Sequence, residues 1–230
     1  MISVIIACAG SGKRMKVEKN KILLEVQGKS ILQYTCEKFT SCEKIDEIIL
    51  VVAKHDLTVV EELATKIIHN KPYKVVVGGS ERQYSINNAL QAVDVNSEIV
   101  LIHDGARPMI KVETINKLIK EVEKSSCAIV GVRVKDTIKI ADENKVVSKT
   151  PNRDYLWSIQ TPQGFKLDII KTAYQRAQQE GFLGTDDASL VERLNIAVKV
   201  VEGEYTNLKV TTPEDLKIIE SLLNDEVYNV

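Results

Sequence analysis

Histidine is scarce in this chain of 230 residues. His55, His69 and His103 are the only three, and the four cysteines (Cys8, Cys36, Cys42, Cys127) form no CxxC pair. A zinc site with ordered ligand spacing and a disulfide framework are both excluded by that pattern. So is a Ser/His/Asp or Cys/His relay, for which no constellation is present. Charge of one sign is lacking too: the formal net charge is −1. No overall field therefore draws in nucleic acid or an anionic membrane, and an anionic ligand must be met by local clusters of Lys and Arg. The opening residues, "MISVIIACAG", are apolar but too short to span a bilayer, and they carry no basic leader or cleavage pattern. The expectation is a cytoplasmic, reduced protein with no nucleic-acid and no membrane partner.

What is present is an ample core, with 44% hydrophobic and 27% charged residues. The length suits one large α/β domain, residues 1–230. "SVIIACA", "DEIILVVA", "KVVVGG", "EIVLIHDGARP" and "CAIVGVRV" are short apolar runs that read as buried strands. Between them, "SILQYTCEKF", "TVVEELATKII", "SINNALQAV" and "VETINKLIKEVEK" read as helices. This alternation predicts a doubly wound, mostly parallel α/β sheet. From about residue 133 to 158 the rhythm changes to short stretches broken by Asp-Glu-Asn and Pro-Asn turn signals, which predicts a protruding β-hairpin arm. "LDIIKTAYQRAQQEG", "TDDASLVERLN" and "TTPEDLKIIESLLN" read as capped helices, with "AVKVVEG" a last strand.

The segment after the first strand, "ACAGSGKRMKVEKNK", is a loop of small residues followed by Lys and Arg. It is not the dinucleotide fingerprint, because Met15 stands where the third glycine is needed. It is not a P-loop either, because Ala7 and Arg14 occupy positions that require Gly and Ser or Thr. Its glycines still allow backbone N–H groups to approach phosphate oxygens, with Lys13, Arg14, Lys16, Lys19 and Lys21 close behind. In "LIHDGARP", Asp104 falls at the carboxyl end of a buried strand, where open α/β sheets bind ligands. One carboxylate there beside phosphates suits Mg²⁺, and it would equally suit a turn cap. His103 reads as a packing or backbone-satisfying residue. "GGSERQYS", "NRDYLWSIQTPQGF", "GTDDASLVE" and "NLKVTTPEDL" are, taken singly, turns or caps with charges nearby.

Taken together and in order, "AGSGKRM", "GGSERQYS", "HDGARP", "KDTIK", "NRDYLW", "TPQGF", "TDDAS" and "NLKVTTPEDL" resemble the 2-C-methyl-D-erythritol 4-phosphate cytidylyltransferase family of non-mevalonate isoprenoid synthesis, along nearly the whole chain. The resemblance implies a Rossmann-like nucleotidyltransferase fold. It also implies transfer of CMP from CTP to a methylerythritol phosphate, with Mg²⁺ and release of pyrophosphate. By it, the backbone of Ala9, Gly10 and Gly12 cradles the triphosphate, and Arg14 and Lys21 stabilise charge on the α-phosphate. Gly79 and Ser85 stand where the family reads the cytosine edge. Asp104 is the metal and ribose contact, with Gly105 beside it, and Arg107 a contact to the substrate phosphate. Thr137, Arg153, Thr161, Thr185 and Lys209 hold and aim the polyol phosphate, Arg153 and Lys209 at catalytic positions. Some arm positions are offered, in the family, by the neighbouring subunit of a homodimer.

The chain departs from the family pattern at Cys8 and Gly105, where alanines are usual, at Asn20, where proline is frequent, and at Ser80, often Asp. These departures lead one to expect a less rigid lysine loop, a looser ribose wall and weaker base contacts. Two alternatives share part of the pattern: a cytidylyltransferase for another polyol phosphate, such as ribitol 5-phosphate, and a non-catalytic nucleotide-binding module. The chemistry itself fits the scarcity of histidine. A phosphate monoester needs no general base to attack an α-phosphate, so positioning and cationic neutralisation suffice.

Overall fold

The computed structural model describes residues 1–10 and 20–224. Along the chain run β1 (Ile2–Ala7), the small ribbon β2 (Glu25–Val26) and β3 (Lys29–Ser30), α1 (Ile31–Ser41), β4 (Glu47–Val52), α2 (Leu57–Ile67), β5 (Tyr73–Val77), α3 (Arg82–Ala92), β6 (Ile99–Asp104), α4 (Val112–Ser125) and β7 (Cys127–Arg133). There follow the ribbon β8 (Ile140–Ala141) and β9 (Val147–Lys149), then β10 (Trp157–Lys166), α5 (Leu167–Gln179), α6 (Asp187–Glu192), β11 (Lys199–Glu202) and α7 (Pro213–Asn224).

Seven strands form one sheet in the order β11-β7-β10-β6-β1-β4-β5. β1 pairs in parallel with β4 and β6, β4 with β5, and β7 with β11. In this sheet β10 runs antiparallel, wedged between β6 and β7. The apolar strands are buried on both faces, as two-sided helical cover requires. Val4 and Ile6 of β1, with Ile48 and Leu50 of β4, face a core closed by α1, α2, α4 and α7. Ile5, Ile49 and Val51 face the opposite core, closed by α3, α5 and α6. This alternation is the period-2 geometry of a strand read on two faces. The four cysteines are all buried thiols with no disulfide.

Within the segment expected to form a hairpin arm, β8 and β9 pair as a short antiparallel ribbon. Residues 135–149 are exposed, whereas the chain from Trp157 onward rejoins the sheet as β10. "TPQGF" does not look like a central strand because it carries proline and glycine. Pro162 sits inside the register shift between Ile159 and Gln163, where the ladder is already broken. A Cβ at Gly164 would lie 2.8 Å from Val122 and 2.9 Å from Leu101, so the glycine permits close packing of α4 on the sheet.

Candidate active site

The chain switches direction of winding between β1 and β6, whose ends are adjacent, Ala7 opposite Asp104. Ligands in open α/β sheets bind outside the strand ends at such a point. A cavity of about 290 Å³ lies there, lined by Ala9, Gly10, Lys21, Gly79, Ser85, Arg82, Asp104 and Lys209 among others. A second, of about 360 Å³, is lined by Arg107, Thr161, Gln163, Thr185 and Asp186, and shares Arg82, Asp104 and Lys209 with the first. The two cavities meet at one carboxylate held among cations.

Asp104 has Lys209 Nζ at 2.8 Å from Oδ2, Arg107 Nε at 3.6 Å from Oδ2 and Arg82 Nε at 3.6 Å from Oδ1. Burial alone would raise its pKa, but Lys209, Arg82 and Arg107 outweigh burial and hold the carboxyl well below the usual carboxylate range. Asp104 is therefore ionised at any pH the fold would meet.

Each cation is aimed by a distinct device. Arg82 makes a two-pronged pair with the fully buried Asp187, Nη1 to Oδ1 at 3.0 Å and Nη2 to Oδ2 at 2.7 Å. The Tyr174 hydroxyl donates to the same carboxylate. Burial opposes the Arg82 charge, and Asp187 more than restores it, so its pKa rises. Asp187 is in turn fixed by the start of α6, where Asp186 and Ser189 form a capping box. Gln163 clamps this turn, its amide donating to Asp186 Oδ2 at 2.8 Å and accepting from the Ala188 N–H at 3.0 Å.

Lys209 lies in the connection between β11 and α7, which is tied to the sheet at three points. The Val210 N–H donates to Ala106 O, Arg107 Nη1 donates to Asn207 O, and the buried Asn207 side chain donates to Gln160 Oε1 and Thr161 O. Lys21 Nζ also donates to Val210 O at 2.8 Å, joining the first loop to the last.

His103 sits beneath this cluster, fully buried against Phe39. Its Nε2 faces Arg107 O at 3.1 Å, an atom that can only accept, so Nε2 carries the proton and Nδ1 accepts from the Thr161 hydroxyl. Thr161 Oγ1 accepts in turn from the Asp104 N–H at 3.0 Å. Burial pushes the imidazole down from an ordinary 6.5 to about 4, so the ring is neutral and both nitrogens are engaged. It packs and orients, as its sequence context suggests.

The sequence-derived candidates thus divide. Ala9, Gly10, Lys21, Gly79, Ser85, Asp104 and Lys209 line the first cavity, and Arg107, Thr161 and Thr185 the second. Gly12 and Arg14 lie outside the described residues. Thr137 and Arg153 belong to the arm, are exposed and line neither cavity of their own chain. Arg153 instead donates to Lys135 O at 2.6 Å. Ser85 is nearly buried, its hydroxyl accepting from the Gly79 N–H and donating to Glu81 O, so it shapes the glycine turn.

Two expectations about departures change. Gly105 does not loosen a cavity wall: it lines neither cavity, and a Cβ there would meet Cys8 Sγ at 3.0 Å and Ala7 O at 3.1 Å. Its N–H donates to Ala7 O and its carbonyl accepts from Thr35, so the missing methyl makes room for the Cys8 sulfur. Asn20 does not leave the lysine turn slack, because its buried amide donates to Cys8 O and Asp56 Oδ2. Arg82, Asp187 and Asn207 lie in motifs that the sequence shows only as turns or caps, with no part in the site assigned to them. The available signal was complementary charge in two motifs 105 residues apart.

The family model described as 2-C-methyl-D-erythritol 4-phosphate cytidylyltransferase matches residues 2–225. The chain is similar to the protein of that name from Caldanaerobacter subterraneus subsp. tengcongensis, with 48% identity over 96% of this chain and 98% of the relative. It is also 47% identical to the one from Clostridium acetobutylicum, over 97% of each. Among solved structures, the 4-diphosphocytidyl-2C-methyl-D-erythritol synthase of Anaerococcus prevotii aligns with a TM-score of 0.88 and 38% identity, covering 97% of this chain and 96% of that one. The 2-C-methyl-D-erythritol 4-phosphate cytidylyltransferase of Francisella tularensis aligns at 0.80 with 31% identity, over 96% and 98%.

Proposed function

This chain belongs to the 2-C-methyl-D-erythritol 4-phosphate cytidylyltransferase family, and we propose from that premise that it transfers CMP from CTP to 2-C-methyl-D-erythritol 4-phosphate. The observation that carries the reading is two cavities sharing Arg82, Asp104 and Lys209, one beneath the glycine turns and one opening toward Thr185. A nucleotide in the first and a polyol phosphate in the second would bring their phosphates together at the shared cations.

In the reaction, an oxygen of the substrate phosphate forms a bond to the α-phosphorus as the α–β bridging P–O bond breaks. The electron pair of that bond leaves on pyrophosphate. No protein group need remove a proton, because a phosphate monoester is largely dianionic near neutral pH. His103, neutral and with both nitrogens engaged, takes no part in proton transfer. The obstacle is repulsion between anions, and the residues that oppose it are Lys21, Arg82, Arg107 and Lys209. Arg14 would join them, as would Gly12 in the triphosphate cradle.

Asp104 is the residue that would hold Mg²⁺. One ionised carboxylate at a strand end, open to the nucleotide cavity, is the donor set this ion takes when phosphates and water supply its remaining ligands. When bound, the ion would neutralise phosphate charge. Thr137 and Arg153 would act from the arm of a second copy in a homodimer, which accounts for their distance from the cavities of their own chain. The cytoplasm, where CTP and Mg²⁺ are found, is the proposed location.

The deciding experiment follows pyrophosphate release from CTP and Mg²⁺, with methylerythritol 4-phosphate and ribitol 5-phosphate in parallel. Release with the first substrate alone is expected. Preference for ribitol 5-phosphate would move the substrate assignment. Binding of CTP without turnover of either would overturn the enzymatic reading.

A further inference from the structure

Lys21 opens a single 3₁₀ turn, Lys21–Leu23, whose N-cap is Asn20. So short a turn has little stability of its own, and its placement must come from outside. Asn20 provides it. Its side chain is almost fully buried and its amide hydrogens have separate partners, Cys8 O at 3.1 Å and Asp56 Oδ2 at 2.7 Å. Its Oδ1 faces the Ile22 N–H at 3.4 Å. One side chain thus ties the lysine turn to the end of β1, at the nucleotide cavity, and to the connection between β4 and α2.

Asp56 is the charged member of this arrangement, 7% exposed, with His55 Nε2 at 3.5 Å as a second neighbour among the described residues. It lines neither cavity at Asp104. As N-cap of α2 it makes no side-chain capping bond, so helix capping does not explain its burial. Among the described residues, the carboxylate accepts from Asn20.

The backbone of Asn20 is informative as well. Its φ is −58° and ψ 130°, inside the range a proline ring imposes. The hydrogen bonds therefore hold the residue in a conformation that could also be fixed covalently.

We propose that Asp56 and Asn20 act as a pair of positioning residues for Lys21, Asp56 orienting the Asn20 amide and Asn20 aiming the lysine turn into the nucleotide cavity. The proposal rests on the reading of Lys21 as a group that neutralises phosphate charge. A lysine whose turn is free to shift by an ångström loses much of its effect on the reacting phosphate while the fold and the bulk of the nucleotide contacts persist.

The test is a set of kcat and KM(CTP) measurements on Lys21→Ala, Asn20→Ala, Asp56→Ala, Asp56→Asn, Asn20→Pro and the Asn20→Pro/Asp56→Ala double variant, each with its melting temperature. Asn20→Ala and Asp56→Ala are expected to lower kcat by about 10- to 100-fold with KM(CTP) little changed. Asp56→Asn, which keeps an acceptor for the Asn20 amide, should retain most of kcat. Asn20→Pro should retain it too, and in that background Asp56→Ala should have no further effect on kcat. The same kcat loss from Asp56→Ala in both backgrounds would overturn the proposal. So would an Asp56→Asn variant as slow as Asp56→Ala, an arm that does not depend on the proline variant folding. If Lys21→Ala itself left kcat unchanged, the underlying reading of Lys21 would fall and the proposal with it. That outcome is distinct from a slow Lys21→Ala beside a normal Asp56→Ala, which sinks the proposal alone.

Discussion

The cavity floor and the arm carry site candidates in opposite physical conditions. Around Asp104, polar side chains are buried or half-buried and largely paired: Arg82 with Asp187, the Asn207 amide N–H groups with Gln160 and Thr161, Thr161 with His103 and Asp104. In the arm, Thr137 and Arg153 stand in water, with local contacts such as Arg153 to Lys135 O. A single chain can preorganise the first set, because each member is held by neighbours already fixed in the sheet. The second set is exposed and has only local contacts within its own chain.

Asp187→Asn should break this contrast most severely on the cavity side. It removes the charge of a fully buried carboxylate paired with the half-buried Arg82, and should cost about 1.5–3 kcal/mol of stability, read by denaturant unfolding. A loss under one kcal/mol, as for an exposed pair, would mean that the cavity floor is no more preorganised than the arm.

Lys209→Ala should lower kcat by about 10²–10³, the usual effect of losing one donor aimed at transition-state charge. Arg153→Ala should do likewise if the arm serves a neighbouring copy. Mixing the two inactive proteins then sharpens the comparison. Random exchange should restore about a quarter of the wild-type activity, because heterodimers contain one site built from intact residues. No recovery on mixing, despite subunit exchange, would place Arg153 in its own chain's site or in none.

The pH dependence of stability isolates the buried polar floor. The folded His103 pKa, about 4, lies below its ordinary 6.5. The unfolded chain therefore binds the extra proton throughout that window, and stability must fall as pH drops from 6.5 to 4. The loss is about 3 kcal/mol. It levels off below pH 4 for this group, where both states are protonated. In a folded His103→Gln variant the slope over that window should flatten; an unchanged slope would assign it to other groups.

The smallest effect concerns a packing detail. Gly105→Ala should cost about 1–3 kcal/mol by overpacking, and Cys8→Ala should recover part of it by removing the sulfur at 3.0 Å. Equal losses in both backgrounds would dissolve the proposed compensation. The Cys8 thiol itself should stay unreactive, since burial pushes its pKa well up.

Much of the fold was legible because continuous apolar runs and 3.6-residue spacing each correspond to one local geometry. Ile31, Leu32, Thr35 and Phe39, which helical spacing puts on one face, are all buried on α1. β10 was not legible as a sheet strand, since its proline and glycine argue locally against one and only α4 and the register shift accommodate them. Among site residues, Asp104 was readable from its place at a strand end, which any open α/β sheet makes a ligand position. Asp187 was not, because an acid at a helix start looks like part of a cap until Arg82 is seen against it.

By itself, then, the sequence determined the alternation of strands and helices, the strand ends where chemistry had to lie, and the family, because these follow from local pattern and motif order. Only the tertiary structure decided which charges meet. The Arg82–Asp187 pair and the Lys209–Asp104 contact each join segments about a hundred residues apart, Asp56 reaches across to Asn20, and the Cys8 sulfur fills the space beside Gly105. Such pairings depend on distance in space and on burial, neither of which is written in the spacing of residues along the chain.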